Sequence, residues 1–234
     1  MSKKTKLKIF VMLWGVTILI SVVVGKLTAS SFVDNVELEQ YLSNKDIKIA
    51  YCEMGYDPDT NVGYLNNEEV QSLDDLLVDK DTIVAKVILS KNFQRKIYME
   101  SIFSQVEIVE CESGNLKKGE KIEILEPVDC GANVILCTDG YSMMQEGKEY
   151  IVFLKPLKNT YYGHSKYIYA PNSTLYSKFP TQPSTPHLFR YEELEEPEKL
   201  YSYEKMKDEE VYLYDKKEFN KYLKLKKEVL ERFK

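Results

Sequence analysis

Histidine is scarce in this sequence, which has only His164 and His187, 23 positions apart, among 234 residues. Two histidines at that separation make a poor metal framework, and no H-E-x-x-H motif occurs. No G-x-S-x-G nucleophile elbow and no glycine-rich phosphate loop is present. His164 stands beside Ser165, but neighbours in a strand point to opposite faces, so this adjacency is not a catalytic pairing. We therefore name no catalytic residue, and the balance of the sequence is against an enzyme.

Acidic side chains outnumber basic ones beyond the first 26 residues. Those residues hold five lysines and no acid, so the rest of the chain carries a net charge of -10 against -5 for the whole. A nucleic-acid surface needs a basic patch, and adhesion to anionic lipid needs the same sign of charge. The composition therefore argues against a nucleic-acid partner.

Cysteine occurs four times, and no C-x-x-C pair of the kind that holds zinc is present. In an oxidising compartment, an even number of cysteines indicates one or two disulfides. Three connectivities are open, and the sequence alone does not choose among them. The short segment C-G-A-N-V-I-L-C favours Cys130–Cys137, which leaves Cys52–Cys111 as the second pair.

One long apolar run, residues 9–25, reads IFVMLWGVTILISVVVG and contains no charge. Lysines flank it on both sides: Lys3, Lys4, Lys6, Lys8 and Lys26. A helix of this length spans roughly 25 Å, and lysines that extend outward make up the difference to a ~30 Å hydrocarbon core. Because the basic end stays inside, we predict a single-pass signal anchor in the cell membrane, with residues 1–8 as a cytoplasmic basic stub and the main domain extracellular.

A cleaved signal peptide is the alternative interpretation of this N-terminus. Its apolar centre would have 7–15 residues and a small-residue cut site, for which residues 28–31 (TASS) are suitable. Lys26 argues against cleavage, because the region around a signal-peptide cut site is usually uncharged. No cysteine lies near position 27, which excludes attachment as a lipoprotein. Both interpretations place the main domain outside the cytoplasm.

The middle of the chain is dominated by strand patterns. Short apolar or alternating segments predict strands at 47–52, 82–90, 97–112, 121–127, 133–138, 148–156 and 166–171. Glycine turns separate several of them, and this spacing is typical of an antiparallel barrel or sandwich. We predict a β-barrel domain over residues 47–171.

Helical patterns lie around this domain. Residues 26–46 are predicted as a stalk with a short helix at 34–44, and 72–81 as a second short helix. The proline-rich segment 172–214 is expected to cross the surface as an irregular segment. A capping box beginning at Asp215 opens a C-terminal helix over 215–233. Its predicted apolar face comprises Phe219, Tyr222, Leu223, Val229, Leu230 and Phe233.

Three segments together resemble a known class of domain: SLDDLLVDKDTIVAKVILS, FSQVEIVECESGNLKKGEKIEIL and EGKEYIVFLKP, within residues 72–156. They resemble uncharacterised exported Gram-positive proteins, and also netrin-like and metalloproteinase-inhibitor-like domains, which are OB-type five-stranded barrels. The resemblance implies an α+β, mainly β fold. That fold is an OB-like antiparallel barrel with flanking short helices and a packed C-terminal helix, after one transmembrane helix.

The segment DPDTNVGYLNNE, residues 57–68, carries oxygen ligands at calcium-loop spacing. Asp57, Asp59 and Asn61 occupy loop positions 1, 3 and 5, and Glu68 occupies position 12. Val62 stands at position 6, where glycine normally makes the turn. The two interpretations are a weak extracellular calcium site and an acidic surface loop; no other cofactor is indicated.

All eighteen tyrosines follow residue 26, in the acidic part of the chain. A tyrosine-rich acidic exterior suits an interaction surface, although half-exposed strand tyrosines would give the same count. The sequence as a whole favours a membrane-anchored, extracytoplasmic binding domain without catalytic activity, with a protein partner at the cell surface. The alternative is an exported enzyme or a protease-inhibitor-like regulator.

Overall fold

The structure is a computed structural model that describes residues 36–43, 46–54, 67–98, 100–157 and 168–233. The predicted membrane segment 9–25, the stub 1–8 and most of the stalk lie outside these residues. In the part of the chain that is described, no helix is both long enough and apolar enough to cross a membrane.

Five strands close into a barrel, so the fold is mainly β, as predicted. They are β2 (Ile83–Leu89), β4 (Ser101–Ser113), β5 (Lys121–Glu126), β8 (Glu149–Pro156) and β9 (Ile168–Pro171). The closed path runs β2-β4-β5-β9-β8 and back to β2. Side chains alternate between core and surface along β4, as the period of two requires.

One seam of the barrel corrects the antiparallel prediction. β5 and β9 pair in parallel, Glu123 opposite Ile168, whereas the other four seams are antiparallel. A parallel pair needs a long crossover, and β8 lies in sequence between these two strands. Sequence patterns mark where strands occur, but they do not reveal which strand each will pair with.

A second, three-stranded sheet lies outside the barrel and was not anticipated. It contains β1 (Lys48–Cys52), β6 (Val128–Cys130) and β7 (Val134–Thr138) in the order β1-β7-β6. The predicted strands 47–52 and 133–138 exist, but they pair in parallel with each other rather than joining the barrel. Two further strands extend the barrel sheet: β3 (Lys96–Tyr98) on β4 and β10 (Lys178–Pro180) on β8.

The described helices are α1 (Leu38–Leu42), α2 (Leu73–Leu76), α3 (Tyr191–Glu195), α4 (Tyr203–Met206) and α5 (Lys216–Phe233). The second helix is shorter than predicted because Asp79 forms a turn just after it. The Asp79 carboxylate accepts the Asp81 N–H, and its carbonyl accepts the Thr82 N–H. Such local bonds compete with helix continuation.

The C-terminal helix begins as predicted, with the Asp215 carboxylate accepting the Glu218 N–H at 2.8 Å. Its predicted apolar face is partly wrong. Leu223 is 38% exposed, whereas Leu225 is fully buried in a cluster with Phe153 and Phe179. Lys226, on the same buried side, reaches the Glu210 carboxylate at 2.6 Å.

Residues 171–181 are buried as a continuous stretch, although the segment that begins at 172 was expected to run over the surface. It contains β10, and α3 and α4 follow within 172–214. The buried stretch places Tyr176 and Phe179 against the C-terminal helix. Prolines interrupt regular structure here without keeping the chain on the surface.

Candidate functional site

A tight turn follows β7 and fixes the end of β1. The parallel register sets Cys52 opposite Thr138, and the next residue, Asp139, donates its N–H to the Cys52 carbonyl at 2.7 Å. Asp139 has a left-handed φ of 50°, which aspartate tolerates better than most residues. At Gly140, with φ 82°, an added Cβ would lie 2.6 Å from the Tyr212 carbonyl oxygen. Thr-Asp-Gly therefore forms a turn that only a glycine in this place permits.

The Asp139 carboxylate bonds to Met54 and Asn67, two described residues that are distant in sequence from it. It accepts the Met54 N–H at 2.9 Å and the Asn67 side-chain amide at 2.8 Å, and the Thr174 hydroxyl donates to it as well. Burial raises the pKa of Asp139, and these hydrogen bonds oppose the rise. One carboxylate thereby bonds both to Met54, which precedes the predicted calcium loop, and to Asn67, which precedes its last ligand, Glu68.

Three tyrosines gather beside this turn, and we call Tyr51, Tyr191 and Tyr214 the tyrosine patch. The ring centroid of Tyr214 lies 5.1 Å from that of Tyr51 and 5.2 Å from that of Tyr191, with interplanar angles of 72° and 88°. These edge-to-face contacts are attractive. Tyr51 comes from β1, Tyr191 begins α3, which packs on β1, and Tyr214 precedes the cap of α5.

Nearby carboxylates make the electrostatic potential at the tyrosine patch negative. Burial raises the pKa of Tyr51 most, and the carboxylates of Asp139, Glu53 and Glu195 raise it further. Burial also raises the pKa of Tyr214, and the nearby Glu195 carboxylate raises it further. The patch is accessible, since Tyr191 is 54% exposed and the other two rings are half-buried.

A second cluster of polar groups lies inside the molecule around Lys178 on β10. The Lys178 ammonium donates to the Ser142 carbonyl and lies 3.4 Å from the Ser142 hydroxyl. It also stands over the rings of Tyr141 and Tyr150, at 4.3 and 5.1 Å from their centroids. Complete burial lowers the pKa of Lys178 to about 8, although Glu126 acts in the opposite direction.

Glu126 lies at the end of β5 and is fully buried. Its carboxylate accepts three hydrogen bonds: from the Ser104 hydroxyl at 2.6 Å, the Tyr141 hydroxyl at 3.1 Å and the Met144 N–H at 2.8 Å. Such charge-assisted bonds are what make a buried carboxylate tolerable. Glu126 thus ties the barrel to the segment after β7.

A cleft of about 210 Å³ borders this second cluster. It is lined by Ser142, Lys148, Tyr150, Pro180, Gln182, Pro183, Ser184, Asp208, Glu209 and Glu210. The Ser142 hydroxyl, which would be its candidate nucleophile, donates to the Glu210 carbonyl at 2.6 Å. The Glu210 carboxylate is itself paired with Lys226. Ser142 and Glu210 therefore belong to a hydrogen-bonded network in which each of them already has a partner.

The predicted calcium ligands are only partly visible. Asp57, Asp59 and Asn61 lie outside the described residues; Glu68 is exposed, and its carbonyl accepts a bond from Gln71. Within the described ranges, no group of three or more His, Cys, Asp or Glu side chains is placed to hold a metal. The calcium site stays a prediction.

The disulfide prediction is wrong for this structure, in which all four cysteines are free. In the β6–β7 pair, Cys130 is opposite Ile135 and Cys137 is opposite Val128. The two cysteines are therefore diagonal neighbours, and that separation is beyond the reach of a disulfide. Cys111 lies in barrel strand β4, whereas Cys52 lies in the small sheet. Spacing in the sequence did not reveal the strand register.

We expect thiol labelling of the native full-length protein to discriminate among these cysteines. Burial raises the pKa of Cys130 to about 12 and that of Cys137 well above the usual value. At pH 8 a thiol of pKa 12 is ionised in roughly one molecule in 10⁴. Iodoacetamide should therefore modify half-exposed Cys111 long before Cys130 or Cys137, as read by peptide mass spectrometry.

The matched control is labelling in denaturant, with and without reductant. All four thiols should react in both samples. A cysteine that reacts only after reduction would show that a disulfide exists and would restore the sequence-based prediction.

No known family model matches the chain, and no curated protein matches its sequence. The sequence indicated a tyrosine-rich surface only through the number of tyrosines that it contains. It did not single out Tyr51, Tyr191 or Tyr214, which lie far apart along the chain. Asp139 carried a local signal, the Thr-Asp-Gly turn, while Lys178 had none beyond the apolar residues around it.

Proposed function

We propose that this chain is a membrane-anchored binding domain that acts outside the cytoplasm and has no catalytic activity. Residues 9–25 would serve as the anchor, with the N-terminus cytoplasmic. Four lysines before that apolar run and one directly after it support this orientation. A protein at the cell surface, in a Gram-positive bacterium, is the expected partner.

We infer further that the barrel is of the OB type. Numbered within the barrel, its strands follow the order 1-2-3-5-4-1, with the one parallel pair between the third and the fifth. That order is the one found in OB-type barrels, which use a strand face and the loops between strands to bind ligands. The fold by itself does not assign a ligand.

The observation that carries the proposal is the contrast between the two clusters. The interior groups around Lys178 and Glu126 are occupied with one another, as a scaffold requires. The tyrosine patch is instead accessible, comes from three distant parts of the chain, and lies near the carboxylates of Glu53 and Glu195. Aromatic residues are enriched at protein interfaces, so this is the surface that we assign to binding.

An exported enzyme is the second candidate, and one observation favours it. Ser142 and Lys178 lie 3.4 Å apart beside the cleft, and a lysine of lowered pKa can serve as general base to a serine. Against this, the Ser142 side chain is buried and its hydroxyl donates to a backbone carbonyl. The inhibitor-like alternative has no such observation behind it.

One experiment separates these two candidates. Intact cells that express the tagged full-length protein are treated with a membrane-impermeant crosslinker, and a parallel sample receives a serine-directed fluorophosphonate. We expect a defined crosslinked partner and no modification of Ser142. Labelling that disappears in Ser142→Ala but persists in Ser184→Ala, a hydroxyl in the same cleft, would establish the enzyme instead.

A further inference from the structure

The tyrosine patch has an organisation that suits it to a particular class of ligand. Its three rings come from separate parts of the chain, and Tyr214 touches both others edge to face. Of the large apolar side chains that the structure describes, Tyr191 is the exposed aromatic one, at 54%. The fold therefore holds an aromatic surface in place and leaves it open to solvent.

Elsewhere the molecule places its own cations over aromatic rings. Lys178 lies over Tyr141 and Tyr150, Lys221 lies over Tyr176, and Arg232 lies over Phe233. Within the described residues, none of these contacts involves the tyrosine patch. Arg190, next to Tyr191, is engaged instead with the carboxylate of Glu193 at 2.7 Å. The exposed ring of Tyr191 is thus not covered by any of these described cations.

The charges around the patch complement such a cation. Glu53 is exposed and Glu195 is half-exposed, and both act on Tyr51 and Tyr214. A cation over an aromatic ring is attracted by the ring's negative face, and nearby carboxylates add to the attraction. The net charge of -10 beyond residue 26 acts in the same direction over longer distances.

The ring geometry distinguishes between two kinds of cation. A small quaternary ammonium needs rings that stand apart and enclose it on several sides. Here the ring centroid of Tyr214 lies only 5.1 Å from that of Tyr51 and 5.2 Å from that of Tyr191. The rings therefore fill the space between them and leave no room for an enclosed cation. A planar guanidinium needs only one free ring face and a carboxylate beside it, which it can meet with two parallel hydrogen bonds.

We propose that the tyrosine patch, with Glu53 and Glu195, binds an arginine-bearing basic segment of a partner protein. This inference rests on the proposed binding function and names the chemistry of its partner. The guanidinium stacks on Tyr191 or Tyr214, and the carboxylate of Glu195 or Glu53 neutralises it. Affinity is therefore salt-dependent and greater for arginine than for lysine.

The test uses the full-length protein in detergent micelles and a fluorescein-labelled peptide of alternating arginine and glycine. Binding is followed by fluorescence anisotropy at two salt concentrations. Tyr191→Ala should weaken binding roughly two- to fivefold, and Tyr191→Phe, which keeps the ring, should not. The double variant Tyr191→Ala with Glu195→Gln should weaken it roughly tenfold.

Matched controls use comparable surface positions away from the patch. Val78→Ala changes another exposed apolar side chain, and Glu123→Gln removes another half-exposed carboxylate; neither should alter peptide binding. If Tyr191→Ala and the double variant bound the peptide as tightly as the wild type, the proposal would be overturned. Equal binding of an alternating lysine peptide, or displacement of the arginine peptide by millimolar choline, would also overturn it.

The surface-crosslinking experiment keeps this proposal distinct from the proposed function. If a partner is captured equally by the wild type and by the double variant, binding stands and the tyrosine patch is not its site. If no partner is captured while the peptide binds the patch normally, the chemistry of the patch stands and the proposed function fails.

Discussion

Replacing Glu126 with leucine should lower the free energy of unfolding by about 3–5 kcal/mol, the range seen when one partner of a buried charge network is removed. The substitution leaves the Ser104 hydroxyl, the Tyr141 hydroxyl and the Met144 N–H without their acceptor. It also removes the negative charge that favours the buried Lys178 ammonium. Urea unfolding of the full-length protein in detergent measures the change.

The control for this prediction lies on the same strand. Glu123→Leu makes the same substitution at a half-exposed position of β5, where we expect a change within about 0.5 kcal/mol. Glu126→Gln, which keeps an acceptor oxygen, should fall between the two. If Glu126→Leu and Glu123→Leu were equally stable, the network would not hold the barrel to the segment after β7.

Truncating Leu225 to alanine should cost about 2–5 kcal/mol, because a fully buried leucine leaves a cavity when it is shortened. Leu225 packs with Phe153, Phe179 and Val229 between the C-terminal helix and the barrel. The loss should appear as a lower unfolding midpoint in urea with an unchanged slope.

Leu223→Ala is the matched control for that variant. The side chain is two residues away on the same helix, has the same chemistry and is 38% exposed, so its truncation should change stability by about 0.5 kcal/mol or less. A larger effect at Leu223 than at Leu225 would mean that the helix is rotated relative to the one described here, with the face predicted from the sequence turned inward.

These two leucines show which features of the C-terminal helix can be predicted from its sequence pattern. The pattern placed the helix within one residue of its start, since the Asp215 cap is a local signal. The pattern did not correctly predict which neighbouring leucine is buried, because the face of the helix that is buried depends on how the helix packs against the barrel. Four of the five barrel strands were likewise located within about two residues from their apolar patterns. The predicted strand 97–112 is divided into β3 and β4, and β4 begins only at Ser101. Their pairing, including the parallel β5–β9 seam, depends on contacts between residues far apart in the chain.

The candidate site could be predicted from the sequence even less well than the fold. Tyr51 and Tyr191 are separated by 140 positions, and only the packing of α3 on β1 brings them near Tyr214. Lys178 looks like any surface lysine in the sequence, yet burial among aromatic rings gives it a lowered pKa. Disulfides were predicted from the even number of cysteines and an oxidising compartment. The register of β6 and β7 instead makes Cys130 and Cys137 diagonal neighbours, too far apart to bond.

Protease treatment of intact protoplasts tests the central claim, that the acidic domain lies outside the cell and residues 9–25 hold it there. The full-length protein carries an epitope tag after Lys234, and a cytoplasmic protein serves as the control for cell integrity. The tag should be lost from protoplasts while the cytoplasmic control survives, and the untreated protein should need detergent for release. A tag that stays protected until the cells are lysed, or a full-length protein recovered in the soluble fraction without detergent, would contradict the account.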